Sequence, residues 1–207
     1  MRPVSPSAER TFTETARRAQ IVAAAVDTIA ELGYAQASLA RIAERIGVSK
    51  GVISYHFARK EDLVREVIAD VIARAVAYAR PRVVAESTGR GKLRAAIESN
   101  IAFMGDYRQH MVALFEIAVN TRGTDSAPNP DMARVLQDST AALRELLATY
   151  QAAGEFRADF DPQVMATAIR AAIDVVPRRL VAEAGFDVGH YGRELADIFD
   201  LATRTGG

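Results

Sequence analysis

The run Ser49-Lys50-Gly51-Val52-Ile53-Ser54-Tyr55-His56, followed by Lys60, gathers hydroxyl, amine and imidazole donors at helical spacing around two apolar residues. Groups of this kind hold anions and hydrogen-bond acceptors. No carboxylate or thiol sits among them to act as a nucleophile or to pair with His56 as a base. Gly51 has no side chain and lets a ligand approach the backbone closely. Only three lysines occur in the chain, Lys50, Lys60 and Lys92, and two of them fall in this stretch.

Other chemistries find little support. There is no cysteine, and His56, His110 and His190 lie too far apart for a local metal motif. Thr88-Gly-Arg-Gly-Lys92 lacks the spacing of a phosphate-binding loop, and no nucleophile elbow is present. Asp159 and Asp161 read as loop residues that cap a helix starting at Pro162. The expectation is a non-enzyme with no cofactor and no metal.

The donors need a rigid mount. Ser38 is a suitable N-cap for a short helix carrying Leu39, Ile42, Ala43 and Ile46. Gly47-Val48 makes a tight turn, and Ser49 caps a second helix over about 49–56. Ile42, Ile46, Val48, Ile53 and Phe57 face inward, against a first helix marked by Ile21, Val22, Ala25, Val26, Ile29 and Leu32 and ended at Gly33. Two short helices crossing at a tight turn form a helix-turn-helix, whose second helix enters the DNA major groove. Lys50 and Ser54 are then placed for base edges, and Tyr55, His56 and Lys60 for flanking phosphates.

From Ala16 to Ile68 the chain resembles the TetR-type one-component regulators. The resemblance rests on Gly33-Tyr34, Ile42-Ala43, Gly47-Val48-Ser49-Lys50-Gly51, Tyr55-His56-Phe57 and Lys60-Glu61-Asp62-Leu63. It implies DNA contacts from Ser38, Ser49, Lys50, Gly51, Tyr55, His56 and Lys60. Ser38 stands where threonine is frequent, and Ser54 where an aromatic is frequent, so the operator read is this chain's own.

The fold class is all-α, since no segment alternates at period two over a useful length. Residues 1–12 read as a flexible arm, 13–60 as the DNA-binding head, and 61–207 as a helical body. Residues 1–60 hold nine Lys/Arg against five Asp/Glu, a charge of +4; residues 61–207 hold seventeen against twenty-one, a charge of −4. A basic head on an acidic body suits a protein that offers one end to phosphate. A long helix is expected from about 60 to Pro81, with Leu63, Val67, Ile68, Val71 and Ala75 inward. Others follow at about 92–105, 107–121, 131–152, 162–184 and 188–204, with breaks at Gly123–Pro130, Gly154 and Gly185–Gly189. With no membrane-length apolar run and no leader-like N-terminus, the chain reads as soluble and cytoplasmic.

The resemblance makes the body an effector-binding and dimerising domain. The last two helices would pair with their mates in a four-helix bundle, through Ala168, Ala171, Ala172 and Val175 and through Leu195, Ile198, Phe199 and Ala202. Homodimers match palindromic operators. For a small, largely apolar effector, Asn100 and Met104 on one helix, Tyr107, His110 and Phe115 on the next, and the Arg170–Asp174 pair are the candidate lining. The other reading is a DNA-binding regulator without a small-molecule effector. A closed cavity in the body favours the former, a packed body the latter.

Overall fold

The computed structural model describes residues 6–121 and 129–205, with side chains from residue 13 onward. Ten helices run along these residues: α1 Pro6–Leu32, α2 Leu39–Arg45, α3 Lys50–His56, α4 Lys60–Ala85, α5 Gly89–Asp106, α6 Arg108–Asn120, α7 Pro130–Ala152, α8 Pro162–Asp174, α9 Val176–Ala182 and α10 Val188–Thr203. The described residues form no strand beyond an isolated antiparallel bridge between Phe156 and Arg204. None of the helices is long and apolar enough to cross a membrane.

Local chemistry sets most boundaries. Gly33 and Gly47 take φ of +78° and +66°, so the chain turns where a side chain would be strained. Asn129 accepts hydrogen bonds from the Asp131 and Met132 amides, and Pro130 opens α7 where its missing N–H goes unneeded. Asp161 caps α8 in the same way, accepting from the Gln163 and Val164 amides at 2.7 and 3.3 Å.

Four expectations shift. Helix α1 starts at Pro6, so the boundary expected at residue 13 falls inside it; residues 1–5 of the arm lie outside the described residues, as do 123–128 of the break before α7. Helix α4 passes through Pro81 and ends at Ala85. The proline leaves only one backbone donor out of the ladder, and Arg82 steadies that turn by donating to the Tyr78 carbonyl and lying 3.8 Å from the centroid of the Tyr78 ring. Helix α5 begins at Gly89, because the Thr88 hydroxyl accepts from the Gly91 amide. The stretch 162–184 is two helices, with the joint at Val175 just before Pro177, whose ring lacks the donor to continue a regular ladder.

Packing divides into two cores. The first joins Ile21, Val22, Ala25, Val26 and Ile29 of α1 to Ile42, Ala43, Ile53, Phe57, Leu63, Val64, Val67 and Ile68, and it also takes in Ala113 and Ile117 of α6. The head is therefore welded to the body. The second core lies among α4, α5, α6, α7, α8, α9 and α10. Arg90 grips Asp200 through two hydrogen bonds of 2.7 and 2.6 Å, tying the start of α5 to α10.

Candidate functional site

Helix α3 is held on three sides. Its inner residue Ile53 is fully buried, as is Phe57 just after it. The Ser49 hydroxyl accepts from the Val52 amide at 3.4 Å, and Ser38 caps α2 through the Arg41 amide at 3.2 Å. At the far end Arg18 of α1 donates to the His56 carbonyl at 3.0 Å and to Glu66 of α4 at 3.2 Å, with its guanidinium 4.4 Å from the centroid of the Phe57 ring. One side chain thus fastens α1, α3 and α4 together. Sequence patterning gave no sign of this role, because Arg18 and His56 are 38 residues apart.

The outer face of α3 is open. Ser49, Lys50, Gly51, Ser54 and Tyr55 are exposed, Tyr55 at 77%. Ser38 is exposed beside them. A Cβ added at Gly51 would meet only the Ser49 hydroxyl, at an ordinary 3.5 Å, so nothing inside the chain demands glycine there. His56 is half-buried with its ring edge-on to Tyr55, and its buried Nδ1 has no hydrogen-bond partner.

Lys60 is placed differently from its neighbours. Its ammonium donates to the Tyr34 carbonyl and lies 3.8 Å from the centroid of the Tyr34 ring, and burial draws its pKa below the usual lysine value. A phosphate contact by Lys60 competes with this tie. The turn it secures is also gripped from the body: Glu116 of α6 accepts from the Tyr34 amide at 3.1 Å.

Candidate effector residues fall into two groups. Tyr107 stacks on Phe103 with ring centroids 4.5 Å apart, and His110 meets Tyr107 edge-on at 5.3 Å. Burial lowers the His110 pKa, with the Arg74 charge acting the same way. Met104 is buried; Asn100 and Phe115 are half-buried. Arg170, in the buried face of α8, forms an ion pair of 2.7 Å with Asp174. None of these residues lines either of two surface clefts. One, of about 390 Å³, lies between Thr88, Arg90, Arg94, Glu155 and Asp200; the other, of about 340 Å³, lies between Tyr34, Glu61, Arg65, Asn120 and Asp131.

The expected dimer surface splits as well. Leu195 and Phe199 are intrachain core, at 7% and 9% exposure. They sit on the α10 face that packs against α5, so the stripe available to a partner is narrower than the sequence suggests. Ile198 and Leu201 on α10, and Val164, Ala168 and Ala171 on α8, remain exposed.

Residues 21–67, which hold the C-terminal part of α1, all of α2 and α3, and the first turns of α4, match the family described as bacterial regulatory proteins of the tetR family. Over these residues the chain is similar to that family. It is 38% identical over 85 residues to the HTH-type transcriptional regulator BetI 1 of Chromohalobacter salexigens, a match spanning 41% of this chain and 42% of that one. The chain thus matches less than half the length of this curated relative. The likeness of fold runs further. A putative TetR-family transcriptional regulator from Rhodococcus sp. superposes with a TM-score of 0.75 at 22% identity, covering 89% of this chain and 97% of that one. The regulator FadR of Bacillus subtilis, solved in complex with stearoyl-CoA, superposes with a TM-score of 0.76 at 19% identity, covering 86% and 95%. These relatives carry the names of transcriptional regulators and not of enzymes.

Proposed function

We propose that this chain is a homodimeric transcription repressor of the TetR type, working in the cytoplasm. It reads a palindromic operator through two copies of α3 and is released by a small, largely apolar effector held in the body. Residues 13–60 serve as the DNA-reading head, and 61–207 as the effector-binding and dimerising body. The observation that carries this reading is the outer face of α3. Ser49, Lys50, Gly51, Ser54 and Tyr55 stand exposed on a helix whose other sides are fixed by Ile53, Phe57 and Arg18. A rigid helix with a free polar face suits the major groove, with Lys50 and Ser54 at base edges and Ser38, Tyr55 and His56 at the backbone.

Dimer formation is supported by the exposed apolar side chains on α8 and α10, Val164 at 65%, Ile198 at 56% and Leu201 at 57%. Effector release draws support from the Bacillus subtilis structure that holds stearoyl-CoA. A ligand that favours one spacing of the two heads lowers operator affinity by its differential binding energy. The second reading, a regulator without a small-molecule effector, is favoured by one observation: the candidate lining residues sit in or beside packed core and line neither cleft.

The test is to sequence random DNA fragments retained by the purified protein, and then to weigh the complex by sedimentation. The expected outcome is an inverted repeat with half-site centres about 34–36 Å apart or a multiple, bound by an even number of chains. A stable monomer at micromolar concentration, or retention without sequence preference, overturns the reading.

A further inference from the structure

The body buries a charge whose hydrogen bonds are incomplete. Arg170 lies in the inner stripe of α8 with Ala166, Ile169 and Ile173, and is 8% exposed. Its guanidinium is planar, permanently charged and carries five donors. Nη2 meets Asp174 Oδ1 at 2.7 Å, whereas Nε is buried without an acceptor. An orphaned donor of this kind is rare in folded chains and calls for a reason.

The geometry of the group suggests one. Nε and Nη2 form one edge of the guanidinium, a pair of parallel donors suited to both oxygens of a carboxylate. One donor of that edge holds Asp174 and the other holds nothing. Asp174 is also a poor permanent occupant. Burial raises its carboxyl pKa against the pull of Arg170, its side chain remains 38% exposed, and it ends α8 at the joint with α9. It can swing toward solvent without unpacking Ile169 or Ile173. A long cation in an apolar stripe makes little sense as packing alone, since a leucine or methionine fills such a place without a charge to satisfy.

We propose that Arg170 is the anion anchor of the effector site, and that the effector is a carboxylic acid on an apolar chain, gripped side-on by Nε and Nη2 in place of Asp174. The proposal rests on the reading of the body as an effector-binding domain and specifies the chemical class it takes. Arg170 supplies the polar recognition, and the surrounding aliphatic core, opened by the chain of the acid, supplies the rest.

Calorimetric titration of the full-length protein with decanoate, 1-decanol and acetate tests this. Decanoate is expected to bind about ten- to hundredfold more tightly than 1-decanol, the range for a hydrogen-bonded charge pair, and acetate to give no heat. Arg170→Gln should bring decanoate down to the level of 1-decanol. Asp174→Asn, which removes the internal competitor, should bind decanoate more tightly than the unaltered chain. A merely structural ion pair would give the opposite result there, because its loss would loosen the site. Equal binding of decanoate and 1-decanol, or an Arg170→Gln protein that keeps the preference, overturns the acid anchor. If 1-decanol binds as well as decanoate and also releases retained DNA, the effector reading stands and only the anchor fails. If neither binds and neither moves the DNA titration, both fail.

Discussion

The Glu116 carboxylate of α6 accepts a hydrogen bond from the Tyr34 amide, 3.1 Å away and 82 residues earlier in the chain. The same oxygen lies 3.3 Å from the position a Cβ would take on Gly33. Lys60 closes the other side of the turn through the Tyr34 carbonyl. Tyr34, in the turn between α1 and α2, is thus tied both to α6 and to the start of α4. The turn before α2 is therefore in contact with α6 as well as with α4.

Removing this joint should weaken the fold modestly and unevenly. Glu116→Ala loses a charge-assisted hydrogen bond at a half-buried position, worth about 1 kcal/mol after solvent screening. Gly33→Ala should cost about 1–2 kcal/mol, because φ of +78° is strained for any residue with a side chain. Urea unfolding of the two variants measures both. Native-state amide exchange of the Glu116→Ala protein should show faster opening confined to the turn around Tyr34.

Arg18 should act on DNA affinity without touching DNA specificity. Arg18→Met keeps the apolar stem over Phe57 but frees the His56 carbonyl and Glu66. The end of α3 then loosens, and operator binding is expected to fall about fivefold, equivalent to about 1 kcal/mol for one net hydrogen bond. Fluorescence anisotropy on an operator and on single-base variants should show the same loss for each. A changed order of preference among the variants would mean that Arg18 takes part in reading bases.

The exposed apolar residues of α8 and α10 yield a prediction about assembly. Ile198→Asp and Leu201→Asp place charges on a face that the chain itself does not cover, since these side chains are 56% and 57% exposed. Each should leave thermal unfolding of the monomer nearly unchanged while weakening dimerisation by about 2 kcal/mol or more, as for a charge set into a buried apolar contact. Sedimentation over a concentration series reads the shift. Leu195→Asp should instead unfold the body, because that residue is core.

His110 should make stability depend on pH in a definite direction. Burial, helped by Arg74, lowers its pKa in the folded chain, although Asp70 and Asp27 oppose the shift. The unfolded chain therefore binds the proton more readily. Stability is fully present above the unfolded value of about 6.5. It is lost as pH falls from there through the folded value, where both states become protonated. Unfolding curves at pH 7.5, 6.5 and 5.5 should show this decline, and His110→Gln should flatten it.

The sequence by itself determined the head. Ser38, Gly47, Ser49 and the inward set Ile42, Ile46, Val48, Ile53 and Phe57 act over a few residues, through caps, a left-handed turn and helical period, and each stands where that local logic puts it. The all-α class was equally legible. What only the tertiary structure decided are the relationships between helices distant in the chain. Helical period marks Leu195, Ile198, Phe199 and Ala202 as one apolar stripe, but α5 takes Leu195 and Phe199 and leaves Ile198 open. Period places Arg170 and Asp174 one turn apart, but not the burial that leaves Nε without an acceptor. Arg18 and Glu116 carry no local pattern at all, because their partners lie 38 and 82 residues away. Capping and periodicity are written in neighbouring residues, whereas a hydrogen bond across the fold depends on where every intervening helix packs.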